Sequence, residues 1–130
     1  MKLLDMMKPA AANPLTHILE AAKPLVPPRH VVHVGLGQGQ GELMVWSAWP
    51  ELATGQTPTT VVEADEDKLK PWLAQFPWAK GLVATVAPFN GMGTYFTSSH
   101  PAEDGLIDPQ DLKGIWPHIT ETRQTLQACQ

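Results

Sequence analysis

His30-Val31-Val32-His33-Val34-Gly35-Leu36-Gly37-Gln38-Gly39-Gln40-Gly41-Glu42 runs an apolar strand straight into alternating glycines and on toward a helix. The next apolar run, Thr60-Val61-Val62-Glu63-Ala64-Asp65, ends on an acid. Strand, glycine loop, helix, strand and terminal acid, in that order, are the front half of a nucleotide-type cofactor site. Glycines let a ligand approach the backbone closely. A carboxylate at the end of the second strand can accept hydrogen bonds from two ribose hydroxyls.

Outward from this stretch, Asn13-Pro14 supplies an N-cap and a first-turn proline. Leu15, Ile18, Leu19 and Ala22 then recur at helical spacing until Pro24. Residues 1–12 read as a loose leader, so 13–130 is the expected single domain. Residues 29–34 are the expected first strand, apolar on both faces apart from its histidines, as in a buried parallel strand. A helix is expected from about Gly41 to Ala48, with Pro50 ending or bending it. Thr59 to Glu63 is the second strand, and Asp65 caps a helix carried on by Leu69, Trp72, Leu73 and Phe76. Pro71 inside that helix predicts a kink or a restart. Leu82 to Ala87 reads as a third strand. Thr94 to Thr97 reads as a fourth, antiparallel to the third through the turn Asn90-Gly91-Met92-Gly93. Residues 98–111 read as a polar loop, and 115–130 fits strand and helix equally. The order βαβα followed by strands is α/β, with a mostly parallel sheet flanked by helices.

Composition bounds the function. The chain has 130 residues with 43% hydrophobic and 17% charged content, which suits a globular domain with a buried core. A net charge of -4 argues against a nucleic-acid surface. No apolar run approaches the roughly 20 residues of a membrane span, and the N-terminus has no cleavable apolar core. The single cysteine, Cys129, supports neither an internal disulfide nor a metal cluster, so a cytoplasmic location is expected. The five tryptophans are expected in or at the edge of the core, with Trp72, Trp78 and Phe76 alternatively covering a surface that meets a missing half of the domain or another subunit.

The spacing of the glycines separates the common ligands. A dinucleotide loop needs Gly-x-Gly-x-x-Gly or Ala; counted from Gly35, Gly37 or Gly39, the sixth position is Gln40, Glu42 or Met44. A P-loop needs Lys followed by Ser or Thr after its last glycine, and there is none. Gly35, Gly37 and Gly39 do fit Gly-x-Gly-x-Gly, the looser pattern of loops that hold S-adenosylmethionine. The same glycines would also serve an ordinary turn, and Glu63 alone would read as a solvated acid at a strand end.

From residue 28 to about 120 the chain resembles the class I S-adenosylmethionine-dependent methyltransferases, FkbM-type group. Val31 to Gln40 is similar to the first motif of that group. Val62-Glu63-Ala64-Asp65 is similar to its Glu-Pro-Asp segment, and Ala87 to Phe96 to its third strand, glycine turn and following strand. The resemblance implies a Rossmann-like fold, incomplete beside a full seven-stranded methyltransferase. It implies S-adenosylmethionine as cofactor, with backbone amides at Gly35, Gly37 and Gly39 facing its methionine part and Glu63 taking the ribose hydroxyls. The position that carries an acid in the group, where it helps hold the cofactor's amino group, is His33 here; a neutral imidazole can hydrogen-bond an ammonium. By the same resemblance the acceptor would be a sugar or other small hydroxylated metabolite, methylated on oxygen.

Two further readings stand beside this one. A catalytically inactive Rossmann-like module would use the sheet as an assembly surface, pairing with a copy of itself or with a missing C-terminal half. A nicotinamide-dependent enzyme is disfavoured by the glycine register. His30 and His33 lie on opposite faces of a strand, which disfavours a shared metal. Ser98, Ser99, His100, Glu103 and Asp104 share one polar loop, a poor support for a hydrolytic triad.

Overall fold

The computed structural model describes residues 14–37, 43, 46, 49–100 and 104–130. The expected leader, Gly39 and most of the expected helix from Gly41 to Ala48 lie outside the described residues; Leu43 and Trp46, which belong to that stretch, are helical. The elements in chain order are α1 (Pro14–Ala22), β1 (Val31–Val34), α2 (Pro50–Ala53), β2 (Thr59–Glu63), α3 (Glu66–Gln75), β3 (Lys80–Val83), β4 (Gly91–Ser98), a 3-10 turn (Pro109–Leu112) and β5 (Thr122–Cys129).

The chain is an α/β fold built on a three-stranded parallel sheet of order β1-β2-β3. β2 is the middle strand. Its first four residues, Thr59 to Val62, are all β-branched, which suits a pleated, enclosed position. The register aligns His33 with Val61 and Val61 with Gly81, so these three share one face. On that face α3 sits close: a Cβ at Gly81 would lie 2.5 Å from Leu73 Cδ1 and 3.1 Å from Leu69 Cδ2. Leu36, Trp46, Leu52, Val61, Leu69, Trp72 and Phe76 form the core there. Trp46 meets Trp72 edge-on at 5.2 Å between ring centroids, and Phe76 lies 4.9 Å from Trp46 and 5.1 Å from Trp72. Such tilted and edge-on pairs add to the area they bury. Trp46 and Trp72 are thus core residues, whereas Trp78 is partly exposed and donates its indole N–H to Leu52 O at 2.9 Å.

The other face differs from expectation. Val32 and Val34, predicted to be buried, are 60% and 56% exposed. β1 is an edge strand, and Val32, Val34 and Leu82 stay exposed on this face, whereas Val62 between Val34 and Leu82 in the middle strand is buried. An apolar strand shows what a chain can bury, not what is present to bury it.

Local signals around α3 are realised. Asp65 Oδ1 accepts from the backbone N of Asp67 at 2.9 Å, capping the helix. Pro71 produces no restart: α3 runs unbroken through it. Pro71 and Asp67 both lie on the exposed side of the helix, so water can take up the Asp67 carbonyl that lacks a partner N–H. Pro50 opens the short α2, a first-turn position where a missing N–H costs nothing; the residues just before Trp49, where the expected earlier helix would end, lie outside the described ones. Lys23, just past α1, forms an ion pair with Glu51 of α2; that hydrogen bond holds the Glu51 carboxyl below its ordinary value.

The second half departs furthest from the sequence reading. The third strand is Lys80–Val83, not Leu82 to Ala87, and β4 does not fold back on it. β4 pairs instead with β5 over eight antiparallel positions, from Gly91 opposite Cys129 to Ser98 opposite Thr122. Just past the end of β3, the segment that leaves it bridges to the end of β5: Gln130 N donates to Thr85 O, and Ala87 N to Gln130 O, each at 3.0 Å. The β4–β5 ribbon is thereby held beside the outlet of the parallel sheet. The segment expected to be a loop over 98–111 contains the 3-10 turn and a bridge between Phe96 and Gly105. Among the described residues no helix is long and apolar enough to cross a membrane.

Candidate functional site

The C-terminal ends of parallel strands are where an α/β sheet leaves a crevice, because the chain turns away there from each strand in succession. In this chain Val34, Glu63 and Ala84 mark those ends, and they line a cavity of about 540 Å³. Its far wall comes from the second layer: Tyr95 of β4 and the segment Asp104 to Ile107. The volume falls within the roughly 300–1,000 Å³ of small-molecule sites.

The glycine loop forms the near wall. Gly35 has φ +79° and Gly37 φ +53°, a left-handed conformation that side-chain-bearing residues adopt at a cost. Gly35 N donates back to Val62 O at 2.8 Å, fixing the exit of β1 against β2. Both glycines line the cavity.

Glu63 is the centre of the arrangement. It is only 5% exposed, so it is not a solvated strand-end acid. Its Oε2 accepts from Leu36 N at 2.7 Å, and its Oε1 accepts from Asp65 N at 2.9 Å. One carboxylate thus ties the glycine loop after β1 to the turn after β2. An ionised carboxylate has about four acceptor positions, so roughly two remain for a ligand.

His33 does not line the cavity; it faces the core side, where Trp46 Nε1 donates to its Nδ1 at 2.8 Å. An indole N–H can only donate, so Nδ1 is the unprotonated nitrogen, and Nε2–H donates to Gly35 O at 3.0 Å. His33 therefore braces the glycine loop from behind. Four of the sequence candidates can be followed: Gly35, Gly37 and Glu63 converge on one cavity, and His33 supports it.

The sequence reading missed the opposite wall. Tyr95, Asp104 and Lys68 line the cavity. Lys68 Nζ pairs with Asp104 Oδ2 at 3.3 Å, and Asp104 Oδ1 accepts from Ser98 N at 2.7 Å. Burial pushes the Tyr95 phenol up to about 12, helped by the negative charges of Glu63, Asp104 and Asp65. Period-two alternation along β4 places Gly93, Tyr95 and Thr97 on one face, a signal that could have marked Tyr95 as inward-facing. Nothing in the spacing marks Lys68 and Asp104, which are 36 residues apart.

The polar cluster at 98–104 is engaged differently. Ser98 Oγ donates to His100 O, and the His100 ring stacks edge-on against His118 at 4.7 Å. Glu103 lies outside the described residues. Among the described residues no group of three or more His, Cys, Asp or Glu is arranged to hold a metal ion. No family model matches the chain, and no match was found among curated proteins or solved structures.

Proposed function

We propose that the cavity at the ends of β1 and β2 binds S-adenosylmethionine, and that the chain is the Rossmann-like, cofactor-binding part of a methyltransferase of the FkbM type. One observation carries this reading: Glu63 lines the same cavity as Gly35 and Gly37 and keeps two acceptor positions beyond those it spends on Leu36 and Asp65. Two acceptors on one carboxylate match a vicinal diol.

Charge favours this ligand over a dinucleotide. The cavity wall carries the carboxylates of Glu63 and Asp104, and Lys68, the one lysine on it among the described residues, is paired with Asp104. A pyrophosphate would need cations or a helix N-terminus aimed at it. A sulfonium and an ammonium are better suited to such a wall. When bound, the cofactor supplies an electrophilic methyl group for transfer to a nucleophile. The chain's residues bind and orient: Gly35 and Gly37 let the ligand approach the backbone, Glu63 takes the diol, and His33 holds the loop through the Gly35 carbonyl. Positioning of this kind is the main protein contribution to a displacement reaction. A hydroxylated small metabolite is the acceptor class this reading carries.

The test is calorimetric titration of the purified chain with S-adenosylhomocysteine, with NAD as control. A micromolar dissociation constant, roughly -8 kcal/mol, for the first ligand alone supports the reading; no heat with either overturns it.

A second reading draws on a different observation, the exposed apolar face of Val32, Val34 and Leu82 beside the open edge of β1. An assembly module would bury that face. Tight self-association measured by mass, with no affinity for S-adenosylhomocysteine, would favour it.

A further inference from the structure

Among the described residues five polar side chains line the cavity: Glu63, Lys68, Thr85, Tyr95 and Asp104. Lys68 and Asp104 are paired with each other, and the Thr85 hydroxyl is bonded to Gln127 Oε1. These three are each anchored to another side chain of the protein, which Glu63 and Tyr95 are not. Glu63 is an acceptor. Tyr95 is 7% exposed, lines the cavity, and its hydroxyl has no hydrogen-bond partner among the described residues. The hydroxyl is not one of the sealed polar atoms of the fold, so it opens onto the accessible space of the cavity that the ring lines.

We propose that Tyr95 is a specificity-determining residue that reads the ribose together with Glu63: the carboxylate accepts a hydrogen from a ribose hydroxyl, and the Tyr95 hydroxyl donates to an oxygen of the same diol. The inference rests on the reading of the cavity as an adenosyl-cofactor site. A hydroxyl both donates and accepts, so an acceptor and a donor facing one cavity are complementary to it. Burial and the surrounding carboxylates keep the phenol protonated, and hence a donor, throughout the neutral range. The ligand class that follows is a ribonucleoside, with the 2′- or 3′-deoxy form discriminated against.

The test uses calorimetry with S-adenosylhomocysteine and its 2′-deoxy and 3′-deoxy analogues, on the unaltered chain and on Tyr95→Phe. The substitution keeps the ring and removes one oxygen, and a circular-dichroism melt checks that the fold is retained. The expected result is a loss of about fivefold to tenfold in affinity for S-adenosylhomocysteine in Tyr95→Phe. That loss should vanish for whichever deoxy analogue lacks the hydroxyl that Tyr95 contacts. An equal loss for all three ligands would mean that Tyr95 only shapes the pocket, and no loss for any would mean that it does not touch the ligand; either overturns the inference while leaving the cofactor site standing. Failure of the unaltered chain to bind S-adenosylhomocysteine would overturn both.

Discussion

Glu63 accepts the backbone amide of Leu36 at 2.7 Å, so the acid that ends β2 holds the glycine loop that follows β1. Its other oxygen holds Asp65 N at 2.9 Å. Glu63→Ala should therefore do more than remove a ligand contact. It leaves two amides without an acceptor, at an expected cost of about 2–4 kcal/mol in unfolding free energy. Glu63→Gln keeps one acceptor oxygen but turns an NH2 toward an N–H, and should cost roughly half as much. Urea unfolding of both variants measures this. Loss of ligand affinity with an unchanged midpoint would show that the two amides find other partners.

His33 and Trp46 make a similar link on the core side. His33→Phe removes the acceptor for the Trp46 indole and the donor to Gly35 O. A destabilisation of about 1–3 kcal/mol is expected, since the indole sits in the core with no alternative acceptor supplied by the new ring. Because His33 does not line the cavity, the affinity for S-adenosylhomocysteine of the folded variant should change far less than in Glu63→Gln. A matched loss in both variants would place His33 at the ligand after all.

Two glycines should fail for different reasons when changed to alanine. At Gly81 a Cβ would lie 2.5 Å from Leu73 Cδ1, so Gly81→Ala pushes α3 away from β3, with an expected cost of about 1–3 kcal/mol from overpacking. At Gly35 a Cβ would meet nothing within 4 Å, but φ is +79°, and Gly35→Ala should cost about 1–2 kcal/mol through backbone strain alone. Leu73→Ala should partly rescue the first variant and leave the second unchanged; a double-mutant cycle on unfolding free energies reads the difference.

What could be read from the chain beforehand follows the range of the interactions involved. The boundary from Thr59 through Glu63 to the Asp65 cap and α3 was legible, because β-branching, a strand-end acid and an N-cap act within a few residues. The convergence of Gly35, Gly37 and Glu63 was also legible, since a parallel βαβ unit brings the ends of its two strands together. The pairing of β4 with β5 was not: Tyr95 faces Thr125, 30 residues on, and the turn at Asn90-Gly91 offered a nearer but unused partner. The exposure of Val32 and Val34 was hidden for another reason. Their pattern is that of an enclosed strand, and enclosure depends on what else is packed there. His33 occupied the motif position of a ligand contact, but the indole of Trp46 decides which way its ring is used.

Tyr95 gives a pH dependence whose sign can be worked out. Its phenol titrates at about 12 in the folded chain against an ordinary 10. Between those values the unfolded chain has released the proton and the native chain still holds it. The native state then binds more protons, so stability falls as pH rises. This contribution is fully present below pH 10 and is lost as pH climbs toward 12. Lysines titrate in the same range, so the measurement is the difference between the unaltered chain and Tyr95→Phe, whose unfolding free energy should decline less steeply over that interval. Tyr95 is the single tyrosine of the chain, and phenolate absorbance in the near ultraviolet therefore reports on it alone. A folded chain whose phenolate forms near pH 10 would show the ring open to water, and the cavity wall at β4 would then be looser than described. Glu63→Gln supplies the internal check: removing one of the charges that raise the phenol should bring its titration down toward 10, by less than full exposure would, because burial is the larger cause.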